Sequence, residues 1–111
     1  MEKHRQLSDL EFEEQFANCT MDPQLFSHEA HIRLAWIHVR KYGVEGACDN
    51  VCQQIQKYDQ VFDEGIKFNQ TVTIACVRAV HQFIQKSKLD NFDQFILKYP
   101  KLKTNLKDLL D

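Results

Sequence analysis

Apolar residues recur along most of the chain at intervals of three and four, the spacing of one helical face. Phe12, Phe16 and Cys19 follow Leu7 and a Ser8/Glu11 pair with capping-box spacing, which predicts a first helix from about Ser8 to Asn18. Asp22 and Pro23 supply an N-cap and a first-turn proline, predicting a turn through Phe26, and Ser27 then caps a longer helix ending near Gly43. Val44, Cys48, Val51, Ile55, Tyr58 and Phe62 form one narrow apolar stripe with polar surroundings, so a third helix is expected on the outside of a bundle. The stretch Asp63 to Lys67, with Gly65, interrupts the pattern as a loop, and a fourth helix follows from about Asn69 to Lys86. Asp90 and Asp93 bracket the start of a short helix through Phe92, Phe95 and Ile96, which the proline after Tyr99 stops. Leu102, Leu106, Leu109 and Leu110 suggest a further turn or two.

Composition agrees with this pattern. A chain of 111 residues, 43% apolar and with eight Phe and one Trp, is enough for one core and too short for two. Three Gly and two Pro are too few for the turns of a small sandwich or barrel. The expected fold is therefore all-α, a compact single-domain bundle of about four to six helices spanning residues 1–111.

Charge narrows the partners. Lys and Arg total 14 against 16 Asp and Glu, so no broad positive field exists to collect nucleic-acid phosphates, although Lys98, Lys101, Lys103 and Lys107 make a local basic end. The longest nearly apolar stretch, Ile32 to Val39, contains Arg33 and His38 and falls far short of the roughly 20 residues of a membrane span. Met1 to Arg5 leads into no apolar secretory segment, which makes the cytoplasm the expected address and Cys19, Cys48, Cys52 and Cys76 reduced, small hydrophobes. Protein partners and homo-oligomers stay open.

Candidate chemistry gathers on the second helix. At about 100° per residue, Ile32, Ala35 and Val39 cluster within about 40° of His28, which puts His28 in the middle of the expected buried face. His31 lies about 60° to one side, His38 nearer the border, and Glu29, Arg33 and Arg40 on the opposite side. His28 and His31 form a short H-x-x-H near a helix N-terminus, whose dipole disfavours the imidazolium and leaves ring lone pairs for a metal or a proton. The alternative is that each ring donates to a backbone carbonyl and fills space.

On the fourth helix, the arc of Val72, Cys76, Val80, Phe83 and Ile84 also carries Asn69 and Thr73 inward, with Thr71 outside and His81 toward the edge. Asn69 as an N-cap and Thr73 bonded back to its own helix are the plain alternatives. Glu13 or Glu14 can reach the same centre from the first helix. Paired Glu-x-x-His motifs, phosphate-binding glycine loops, G-x-S-x-G elbows and H-E-x-x-H zinc motifs are all missing, and Cys48 with Cys52 lacks a knuckle or a second cysteine pair.

The string Phe26-Ser27-His28-Glu29-Ala30-His31-Ile32-Arg33-Leu34-Ala35-Trp36, followed by Lys67-Phe68-Asn69-Gln70-Thr71-Val72-Thr73, resembles an uncharacterised group of small bacterial all-helical proteins. Their pattern runs F-x-H-x-x-H-L-R-x-A-W and then K-Y-H-x-T-I-T, and the resemblance covers roughly residues 7–100. It carries over His28, His31, Arg33, Trp36, Thr71 and Thr73. The chain departs at Phe68 and Asn69, where the pattern has Tyr and His, so the third histidine of a three-His metal centre is replaced by an amide that still hydrogen-bonds.

Two functions are expected from these readings. One is an interior pocket lined by His28, His31, Asn69 and Thr73, with Trp36 and Arg33 beside it, binding a divalent metal or small polar ligand and supporting general-base or hydrolytic chemistry on His28 or His31. The other is a noncatalytic adaptor with structural histidines, in which Trp36 and Ile37 offer a contact surface.

Overall fold

The computed structural model describes residues 3–62 and 69–104. The expected loop Asp63–Lys67, Phe68, Lys107 and the leucines at 106, 109 and 110 lie outside the described residues, as does the side chain of Lys103.

Local hydrogen bonds explain where each helix starts. The Ser8 hydroxyl accepts from the Glu11 amide at 3.1 Å and the Glu11 carboxylate accepts from the Ser8 amide at 2.9 Å, closing the expected capping box of α1 (Asp9–Ala17). Asp22 accepts from the Gln24 amide and opens a 3-10 turn, Pro23–Leu25. The Ser27 hydroxyl then accepts from the Ala30 amide and caps α2 (His28–Phe62). Asn69 caps α3 (Gln70–Ser87), and Asn91 caps α4 (Phe92–Lys98); the short α5 is Lys101–Thr104. No strand occurs among the described residues.

Gly43 divides α2 where the sequence predicts an ending. Its φ of 81° and ψ of 169° lie outside the helical region, in backbone space open to glycine alone. The arms on either side fold back on one another. Asn50 Nδ2 stands 3.5 Å from His38 Nδ1, whereas twelve residues of straight helix would hold them about 18 Å apart.

The first arm is the centre of the molecule. Every residue from Ile32 to Val39 is buried, enclosed by Phe12 and Phe16 of α1, Val77 and Val80 of α3, Phe92 and Phe95 of α4, and Leu102. The second arm buries one stripe, Ala47, Cys48, Val51, Ile55 and Tyr58, and runs beside α3, as its narrow apolar pattern requires. The result is an all-α globule with a radius of gyration of 12.9 Å, close to the roughly 13 Å expected of a domain of about 100 residues. No helix among the described residues is long and apolar enough to cross a membrane.

Three expectations are corrected here. Val72 is 48% exposed, because the buried arc of α3 is Cys76, Val77, Ala79 and Val80 and its first turn projects beyond the core. Trp36 and Ile37 are 1% and 6% exposed, so they do not form a contact surface; neighbouring side chains cover all but a sliver of each. Residues Lys3–Gln6, expected only as a charged start, form a 3-10 turn that lies against α2 and buries His4 completely.

Candidate functional site

His31 is held in one tautomer. Its Nδ1 lies 3.1 Å from the Ser27 carbonyl, which also takes the His31 amide at 3.0 Å, and a carbonyl only accepts. The ring therefore carries its proton on Nδ1 and its lone pair on Nε2. Phe26 lies against it with ring centroids 3.9 Å apart, and Phe26 in turn packs on Phe16 and Tyr58. Burial in this setting lowers the His31 pKa to about 4; the Ser27 bond opposes the shift and the nearby His28 adds to it. The plain expectation for this ring, a bond to a backbone carbonyl, is met here, and that bond is what fixes the lone pair on Nε2.

His28 departs from expectation. It is exposed, not centred on a buried face. Its place in the first turn of α2 precedes the stretch that neighbouring elements enclose, and Glu29 and Ala30 face inward at that level instead. Asn69 is also exposed, its side chain accepting from the Val72 amide at 3.0 Å as an N-cap. Thr73 is half-buried and Thr71 exposed. No hydrogen bond among the described residues joins Asn69 or Thr73 to either histidine.

Glu13 does not reach this region. Its carboxylate receives the Tyr42 hydroxyl at 2.6 Å and Lys41 at 3.0 Å, while Glu14 is exposed. His38, expected near a border, is buried; burial lowers its pKa, and its Nε2 has no hydrogen-bond partner among the described residues. The four cysteines are free thiols, and burial pushes Cys76 up to about 11 and Cys48 and Cys52 upward, the behaviour of packing residues.

A polar cluster in the interior, built on Glu29 and Arg33, was not anticipated. Glu29, 1% exposed, accepts from His4 Nε2 at 2.6 Å and from Arg5 Nε and Nη2 at 3.1 and 2.8 Å. Arg33, 5% exposed, donates to the carbonyls of His4 and Leu7 at 2.6 and 2.8 Å and twice to Asp9, at 2.8 and 3.3 Å. Arg33 Nη1 also faces His4 Nδ1 at 3.3 Å, so Nδ1 accepts and Nε2 carries the proton given to Glu29. These bonds hold the N-terminal turn against α2 and engage Arg33 within the protein. The only sequence signal was Glu29 and Arg33 four apart on an otherwise apolar helix; nothing in it marks residues 3–6 as their cover.

Among the described residues, no group of three or more His, Cys, Asp or Glu side chains converges as a metal site. No protein-family model, no curated protein and no solved structure matches the chain.

Proposed function

We propose that the chain is a binding protein whose site lies at the start of α2, with His31 Nε2 as the principal contact and His28 as the second, taking a small polar ligand or a divalent metal. The supporting observation is the Ser27 carbonyl bond to Nδ1, the outer-shell arrangement that orients imidazoles for a ligand. Asn69 and Thr73 are the candidate further contacts from α3. A ring with a pKa of about 4 is neutral at pH 7, which favours coordination, but it is a weak proton acceptor. Binding is thus better supported than general-base catalysis. A metal held here would rely on two imidazoles and solvent, and the free thiols fit a reducing, cytoplasmic setting.

The test combines elemental analysis of untagged protein, purified without chelator, with titration of Zn2+ into protein whose histidine rings are followed by NMR. The expected result is a saturable change at His31 Nε2 that disappears in His31→Ala and weakens about tenfold, or roughly 1.4 kcal/mol, in His28→Ala. A Zn2+ response identical in the wild type and both variants, with no metal in any of them, removes the proposal.

A further inference from the structure

A groove of about 360 Å³ runs between α1 and the first arm of α2, at the opposite end of that arm from His28. Its size falls within the range of small-molecule sites, which begins at about 300 Å³. Trp36 and Ile37 line it from the buried side, and Leu10, 59% exposed, lines it from α1. The remaining lining is charged, and the charges differ in how fully they are engaged.

Both acids already have internal donors. Asp9 is held by two Arg33 bonds, and Glu13 by Lys41 and the Tyr42 hydroxyl. Arg40 is different. Its guanidinium lies 4.5 Å over the Trp36 ring and, among the described residues, gives one hydrogen bond, at 2.7 Å, to the Asp90 carbonyl. The carboxylate it pairs with among the described residues, Asp90, is 3.9 Å away and 97% exposed. A guanidinium has five N–H donors in a fork that matches a carboxylate, and stacking on indole leaves the edges of that fork for a ligand.

We propose that this groove binds a small amphipathic carboxylate, its acid group on Arg40 and its apolar body against the exposed Leu10, above the nearly buried Ile37 and Trp36. The acids' internal donors disfavour a cationic ligand, which would have to compete with Arg33 and Lys41. The exposed leucine disfavours a purely polar one. The site shares no residue with the histidine site, so each stands or falls separately.

Trp36 is the only tryptophan in the chain, so its fluorescence reports the groove directly. Octanoate, kept below its micelle concentration, is the probe, with octylammonium as the charge-reversed control. Octanoate is expected to change the emission saturably, and octylammonium to leave it unchanged. Arg40→Gln is expected to weaken octanoate at least tenfold. Leu10→Asp, a change at an exposed rim position that spares the core, is expected to do the same while circular dichroism stays native. The proposal is overturned by an absence of saturable change in the wild type, by equal binding of octylammonium, or by a folded Leu10→Asp protein that binds octanoate as the wild type does.

Discussion

His31 joins sequence, packing and titration in one residue. The same enclosure that sets Phe26 against its ring opposes its protonation, because a charged imidazolium would lose solvation there. Its lowered folded pKa makes the unfolded chain the better proton acceptor between the two values. Stability is therefore full above the ordinary pKa of 6.5 and falls as pH drops toward about 4. A depression of this size corresponds to roughly 3 kcal/mol. His38 shifts in the same direction through burial and adds to the loss. Urea midpoints taken from pH 7 to pH 4 should decline, with a shallower slope in His31→Gln; a flat profile in the wild type would contradict the neutral, half-buried ring.

Among the elements, α2 is defined by its single glycine break. A Cβ built on Gly43 meets nothing within 4 Å, so an alanine there is opposed by backbone conformation alone and not by crowding. Gly43→Ala is expected to destabilise by about 1–3 kcal/mol, measured by equilibrium denaturation. A loss near zero would mean that the elbow can relax into a helical path. The caps and this break were legible in the sequence because Ser8, Asp22, Ser27, Asn69 and Gly43 act within a few residues of themselves. Which side of α2 is buried was not legible. A helical wheel assumes one dry face, but the first arm is buried all round from Ile32 to Val39, and Glu29 and Arg33 lie on the face that looked polar. Their burial depends on His4 and Arg5, whose distance along the chain leaves no periodic trace. The candidate site shows the same division: the ring of His31 was readable from its place at a capped helix start, whereas the exposure of His28 depended on what neighbouring elements leave uncovered.

For the whole molecule, the N-terminal turn is a structural component and not an appendage. Without it, Glu29 loses His4 and Arg5, and Arg33 loses the His4 carbonyl, leaving buried charges short of partners. Breaking a buried ion pair from one side costs about 3–5 kcal/mol, so a chain beginning at Leu7 is expected to lose stability on that scale. Calorimetry of the full and shortened chains measures this, and a difference below about 1 kcal/mol would show that Asp9 and solvent suffice to hold Arg33 and Glu29. The enclosed first arm of α2 carries one more consequence. Its amide protons from Ile32 to Val39 lie beneath α1, α3 and α4 together, so the fraying of no single neighbour admits solvent. Deuterium reaches them only when the entire fold opens, and their exchange rates become a direct gauge of global unfolding.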